Sequence, residues 1–451
     1  MLTRLLLTLL GKAGTCDGRP DSGGVTVSRR RRPLLDATCT PALGRSAAVL
    51  VISGSVGAGH DGAASELATR LRAQGVDADV HDYLAALPWP CRYVLREGYT
   101  FSVGRAPAVF EWLFASIEDR RLVLACTLAF CRLGNRRVHR WATAKPYGLV
   151  VSTYPLASQT LGTLRRRGEL TSQVATYLTD PAVHRTWVHP AVDHHLTVTG
   201  AAAHQGQAVY GIAMRPAGPL VPDRFSRGIS PERRSALRHE LGLRPDQRVA
   251  LLVTGSLGLG DAEHSACGVL DAGLVPLVLC GRNEALRARL TRIPGVVALG
   301  WRDDVHELMH TVDVLVHNAG GLTFTEALVA GLPTVSYRCI PGHGRANAAA
   351  IEDAGLGPWA RSAEQFTTAL REQAAKRRIL STQPDPSLLI LSLLDGTATD
   401  PATASPLDVP PVPTEQFGAG RSNRGPAGGL EVALAPLDLP GQWQAPGVRR
   451  S

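Results

Sequence analysis

Twice along the chain a short apolar run of strand length breaks into glycines and gives way to helical spacing. The first run is Ala47-Ala48-Val49-Leu50-Val51-Ile52-Ser53, entering Gly54-Ser55-Val56-Gly57-Ala58-Gly59-His60. The second is Arg248-Val249-Ala250-Leu251-Leu252-Val253-Thr254, entering another glycine loop. A strand that is apolar at every position is buried on both faces, the condition of a parallel sheet covered by helices. After the first loop, Ala63, Ala64, Leu67, Ala68 and Leu71 recur at helical spacing and 76–80 reads as a strand, giving a right-handed parallel unit. Strand patterns at 147–152, 173–178 and 195–198 complete one sheet, and those at 275–280, 296–299, 312–316 and 333–336 complete another. The fold class expected is α/β, two Rossmann-like parallel sheets in tandem.

A chain of 451 residues with 44% hydrophobic content can fill two such cores. Residues 1–45 read as a disordered leader, 46–216 as a first domain with a helical insert at 83–145, and 217–375 as a second domain entered through a Pro- and Arg-rich connector. Residues 376–451 read as a mostly disordered tail, with order only around Leu388 to Leu394. The insert carries Trp89, Tyr93, Tyr99, Phe101, Phe110, Trp112 and Phe114 among many arginines. Such helices lay aromatics among acyl chains and arginines on anionic headgroups, unless the aromatics simply fill a core.

The net charge of +9 calls for an acidic partner. Basic residues do not alternate with aromatics, and Arg29 to Arg32 fall in the leader, so nucleic acid is not expected; an anionic membrane surface and a phosphorylated substrate both fit the charge, and the aromatic and arginine-rich insert favours the membrane. Eight cysteines without a CxxC pair read as reduced cytoplasmic thiols. The apolar opening Met1 to Leu10 is too short to span a bilayer, which needs roughly 20 residues, so membrane contact is expected to be peripheral.

Three clusters carry chemistry. Gly57, Gly59 and His60 sit where a strand turns into a helix; glycines there admit a ligand to the backbone, and a histidine at that mouth can act as a general base. In Leu178 to His189, Asp180, His184 and His189 have a spacing compatible with a metal, but no further ligand lies at suitable spacing. A buried Asp180 that orients a histidine is the favoured reading, and no metal is expected. Asp77 and Asp79 form a D-x-D string within a strand and read as edge polarity. In His317-Asn318-Ala319-Gly320-Gly321-Leu322-Thr323-Phe324-Thr325-Glu326, glycines at a strand end precede a carboxylate about one turn into a helix. That suits phosphates at the helix start and a ribose held by Glu326. The polar loop of Pro341, Gly342, His343 and Asn347 faces the same crevice.

Taken in order, Gly57 to His60, Thr179-Asp180 through Trp187 and His189, Cys280-Gly281-Arg282-Asn283, Gly320-Gly321 to Glu326 and Pro341-Gly342 to Asn347 resemble the monogalactosyldiacylglycerol synthase and processive diacylglycerol glycosyltransferase family. That family is related to the transferase of the lipid-linked peptidoglycan precursor. The resemblance implies a GT-B architecture and an inverting transfer of a hexose from a UDP-sugar co-substrate to a lipid such as diacylglycerol, without a cofactor, on the inner face of the plasma membrane. It implies that His60 is the base, with Asp180 beside it, and that Gly57, Gly59, His184, Trp187 and His189 lie on the acceptor side. Donor contacts are implied for Gly255, Ser256, Gly258, Arg282, Trp301, Val305, Asn318, Gly320, Gly321, Thr323, Glu326, His343 and Asn347. Where the family has Gln-Glu after its Pro-Gly pair, this chain has His343-Gly344. A UDP-sugar epimerase, a non-catalytic nucleotide-sugar-binding homologue and an NAD-dependent oxidoreductase are the alternatives; the glycine spacing disfavours the last.

Overall fold

The computed structural model describes residues 48–253, 261–380 and 384–397. β1 (Ala48–Ser53), α1 (Ala58–Ala73) and β2 (Asp77–Asp82) form the opening unit, followed by the insert helices α2 (Trp89–Arg105), α3 (Pro107–Asp119), α4 (Arg121–Cys131) and α5 (Asn135–Ala142). The sheet resumes with β3 (Leu149–Ser152), α6 (Pro155–Arg166), β4 (Gln173–Leu178), β5 (His194–Thr197), α7 (Gly200–Tyr210) and the two-residue β6 (Arg215–Pro216). All its pairings are parallel, in the order β2-β1-β3-β4-β5-β6. Side chains alternate between two apolar layers: Val49, Val51 and Leu149 point to one face, Leu50, Ile52 and Val150 to the other.

The connector holds α8 (Pro231–Glu240), whose Ser230 hydroxyl caps the Arg233 N–H. Then come β7 (Val249–Val253), α9 (Ala262–Asp271), β8 (Val275–Leu279), α10 (Glu284–Leu290), β9 (Val297–Leu299), α11 (Val305–Thr311), β10 (Val314–His317), α12 (Gly321–Val329), β11 (Thr334–Tyr337), α13 (His343–Asp353), β12 (Trp359–Ala360) and α14 (Ala363–Ala375). This second sheet runs β12-β11-β10-β7-β8-β9, again parallel. Strand order reverses beside β1 in the first sheet and beside β7 in the second. Ligands of open parallel sheets bind at such reversals, outside the carboxyl ends of the strands.

Asp77 and Asp79 lie on the edge strand β2, where both pair with Lys145 and Asp79 also accepts the Tyr147 hydroxyl, so edge polarity accounts for the D-x-D string. The short strands β6 and β12 lack an apolar run and escape the sequence reading. The insert differs from an all-membrane face. On α3, Phe110, Leu113, Phe114 and Ile117 recur at helical spacing and line an internal cleft, as does Tyr99 of α2. Trp89, Tyr93, Phe101 and Trp112 stay 54–73% exposed.

The tail contains α15 (Pro386–Leu394), which is docked and not merely ordered. Ile390 and Leu393 join the core of the first sheet, and Arg70 of α1 donates to Asp385, the residue that caps α15, at 2.9 Å. The chain therefore returns from the second sheet to the first. No helix among the described residues is long and apolar enough to cross a membrane. Because Ile390 is 1% exposed, Ile390→Ala should destabilise the chain by about 2–5 kcal/mol in urea unfolding. A change below about 0.5 kcal/mol would show that α15 is not docked in solution.

Candidate active site

The loop after β1 is shaped by one ring and one carboxylate. A Cβ at Gly54 would lie 2.4 Å from the Tyr154 ring, so glycine is needed for the chain to pass under it. Asp61, in the first turn of α1, accepts from the hydroxyls of Ser53 and Ser55, tying the loop to the helix. His60 is thereby set beside the end of β3, and its Nδ1 lies 2.8 Å from the Thr153 carbonyl oxygen. A carbonyl can only accept, so Nδ1 carries the proton and Nε2 keeps the lone pair. The Thr179 hydroxyl oxygen, 3.0 Å from the same nitrogen, is a second acceptor. Burial lowers the His60 pKa below the ordinary histidine value against the pull of Asp180, so the imidazole is neutral at pH 7.

Asp180 is not hydrogen-bonded to His60. Its Oδ2 accepts from Trp187 Nε1 at 3.0 Å and its Oδ1 from Asn347 Nδ2 at 3.1 Å, with His184 Nε2 at 3.5 Å from Oδ2. Burial would raise its pKa, but the His184 bond and the neighbouring imidazoles outweigh that and hold the carboxyl below its usual range. Trp187 is 0% exposed, so it supports Asp180 from below and cannot touch an acceptor. His189 packs under α6, where a Cβ at Gly162 would meet its ring at 2.2 Å; it lies off the cleft and belongs to the packing. Its separation from Asp180 and His184 dissolves the metal spacing, and no group of three or more His, Cys, Asp or Glu among the described residues is placed to hold a metal.

The second half meets this loop closely. A Cβ at Gly321 would lie 2.5 Å from the Thr179 carbonyl, and Leu322 seats against Gly59 and Gly62. Asn347 is fully buried: its Nδ2 donates to Asp180 Oδ1 and to the Ala319 carbonyl, each at 3.1 Å, and its Oδ1 accepts from the Ala182 N–H at 3.1 Å. Both amide hydrogens are committed, so Asn347 joins the two halves and has no donor group left for a ligand, contrary to its expected place among the donor contacts. Glu111 of α3 adds a second tie, accepting from the Gly342 N–H at 2.7 Å and pairing with Arg345.

Helix α12 starts at the mouth of β10 with Gly320 as its cap, no capping side chain and no acid in its first turn. Its opening N–H groups and partial positive charge face the cleft that Asn318, Gly320, Gly321 and Thr323 line. Glu326 follows one turn later; burial raises its pKa to about 8, against a small pull from Arg224, so it holds a proton at neutral pH. Arg282 lies over the Trp301 ring at 4.8 Å, with that ring half exposed. Val305 opens α11 with its side chain packed on the core, so it offers a ligand only backbone. His343 enters the cleft between Tyr99, Phe110 and Phe114. Gly255, Ser256 and Gly258 lie outside the described residues.

The cleft between the halves has a volume of about 360 Å³ and includes Gly57, Gly59, His60, Asp180 and His184. Sequence reading missed Thr153 and Tyr154 and gave Thr179 no role of its own; the signal available was topological, since residues after β3 must face the start of the helix after its neighbour β1 and those after β4 lie alongside. Asn347→Ala would leave Asp180 Oδ1 and the Ala182 N–H buried without Asn347. Each such loss costs about 1–3 kcal/mol, so thermal or urea unfolding should show a destabilisation of about 2–4 kcal/mol. A value under about 0.5 kcal/mol would mean that this seam is open in solution.

The family described as monogalactosyldiacylglycerol (MGDG) synthase matches residues 60–215. A processive diacylglycerol beta-glucosyltransferase of Bacillus pumilus (strain SAFR-032) is 24% identical over 330 residues, covering 68% of this chain and 81% of that protein. The chloroplastic monogalactosyldiacylglycerol synthase of Spinacia oleracea is 27% identical over 347 residues, covering 70% of this chain and 64% of its own length. Among solved structures, spinosyn rhamnosyltransferase SpnG complexed with thymidine diphosphate superimposes with a TM-score of 0.50 at 14% identity, over 76% of this chain and 99% of that one, a likeness of fold alone. The chain has the GT-B fold, and its sequence is similar to those of glycosyltransferases of the monogalactosyldiacylglycerol synthase family.

Proposed function

We propose that the chain transfers a hexose from a UDP-sugar to the hydroxyl of a membrane lipid such as diacylglycerol, with inversion at the anomeric carbon. The observation that carries this reading is the His60 imidazole, fixed at Nδ1 by the Thr153 carbonyl at the mouth of a largely apolar cleft. Nε2 takes the proton of the acceptor hydroxyl as its oxygen attacks the anomeric carbon, and UDP leaves from the opposite face. Negative charge grows on the diphosphate and is met by the N–H groups opening α12, already oriented before the reaction. Glu326 receives the ribose hydroxyls, whose donated hydrogen bonds favour its ionised form against the effect of burial. Metal-free charge stabilisation is part of the same proposal, as is the donor role of Arg282, Trp301 and Thr323.

The lipid reading rests on the insert. Its inner side supplies Phe110, Leu113, Phe114 and Ile117 to the cleft, while Trp89, Phe101 and Trp112 stand in solvent beside exposed arginines such as Arg105, Arg120 and Arg121. One face thus leads to the base and the other suits an anionic bilayer, on which each basic residue contributes on the order of 1 kcal/mol. Peripheral contact with the inner face of the plasma membrane is part of the same reading, supported by this pairing of exposed aromatics and arginines.

The test is product formation from UDP-glucose or UDP-galactose and diacylglycerol in vesicles, read by mass spectrometry. His60→Ala should lower turnover by about 10²–10⁴-fold with UDP binding close to wild type. Replacing zwitterionic by anionic phospholipid should raise the wild-type rate, and Trp112→Ala should reduce that gain. More than about half the activity remaining in His60→Ala would remove the histidine from its role, and indifference to every vesicle composition would remove the membrane.

A further inference from the structure

The wall around the base has few polar side chains, and nearly all are already engaged inside the protein. The Thr127 hydroxyl donates to the Val123 carbonyl at 3.0 Å, and the Thr179 hydroxyl lies 3.0 Å from His60. His184 Nδ1 lies 2.7 Å from the Thr186 hydroxyl, its Nε2 faces Asp180, and Asp180 is held by Trp187 and Asn347. The Tyr99 hydroxyl lies 3.5 Å from His343. What remains on the first half is His60 Nε2 and the Tyr154 hydroxyl, for which no partner occurs among the described residues; the other side chains around them are aliphatic and aromatic, while Asn318, Thr323 and His343 face the same cleft from the second half. Burial raises the Tyr154 pKa, so its phenol is a neutral donor suited to an ester carbonyl.

Such a wall recognises an apolar molecule that brings one hydroxyl. A sugar headgroup brings several. The N–H groups opening α1 can donate to a sugar oxygen, but each hydroxyl must also place its own proton, and Asp180 and the threonine hydroxyls of the first half already take part in bonds within the protein, leaving few lone pairs for several hydroxyls. The cleft, about 360 Å³, is near the lower end of ligand sites and must also admit the donor sugar on the α12 side. We infer that the acceptor site takes a lipid alcohol with a single free hydroxyl and rejects its own glycolipid product, so that the enzyme adds one sugar and stops. This rests on the lipid-transfer reading above and narrows it to one of two outcomes, because the Bacillus pumilus relative is named for processive transfer while the Spinacia oleracea relative is named for a monoglycosyl product.

Each buried hydroxyl left unpaired disfavours binding by roughly fivefold or more, and a hexose leaves several, so discrimination on the order of a hundredfold is expected. The full chain is incubated with its UDP-sugar and vesicles of anionic phospholipid containing either diacylglycerol or purified monohexosyl diacylglycerol. The expected result is monohexosyl product from the first vesicles, no dihexosyl lipid even after the diacylglycerol is consumed, and a rate on the second at least about a hundredfold lower. Dihexosyl lipid formed faster than that overturns the inference and leaves lipid transfer standing. No product from diacylglycerol overturns the transfer reading itself, and the single-addition inference with it.

Discussion

One hydrogen bond sets the chemistry of this cleft: Nδ1 of His60 donating to the backbone carbonyl of Thr153. It joins the first turn of α1, just after β1, to the end of β3, β1 and β3 being the neighbours beside which the strand order of the first sheet reverses. A backbone carbonyl is fixed by the sheet and cannot take up a proton at neutral pH, so the tautomer it selects is held without a charged partner. A carboxylate in that place would favour the imidazolium; here burial has the larger effect and the ring stays neutral. The carboxylate that pulls most on His60, Asp180, is spent on Trp187, Asn347 and His184.

The same residues hold the two halves in register. Asn347, Gly321 and Leu322 of the second half meet Asp180, Thr179 and the Gly59–Gly62 face of the first. This seam puts the opening N–H groups of α12 across the cleft from His60, so the imidazole and that helix start line one volume. α15 reinforces it by returning the chain to the first sheet, where Arg70 also donates to the Val221 carbonyl of the connector.

Much of this was legible because parallel strands buried on both faces leave uninterrupted apolar runs, as at 48–52 and 249–253, and because glycines mark where backbones approach. β6 and β12 were not, since Arg215–Pro216 and Trp359–Ala360 offer no such run. Spacing placed His184 and His189 in one cluster but cannot say which faces the cleft and which lies under α6. Nor does it distinguish an asparagine that touches a ligand from one, like Asn347, that closes a seam. The periodicity of Phe110, Leu113, Phe114 and Ile117 was readable on a helix, yet only the tertiary arrangement shows that this stripe faces His60 while Trp112 faces water.

The chemistry of the cleft turns on the protonation state of one ring, and nitrogen NMR of the full chain with ¹⁵N-labelled histidine reports it, His60 being assigned by loss of its signals in His60→Gln. The expected spectrum is that of a neutral ring protonated at Nδ1, titrating below the ordinary histidine value of about 6.5. A proton on Nε2, or an imidazolium at pH 7, would contradict it, because either form leaves no lone pair at Nε2 to receive the acceptor's proton.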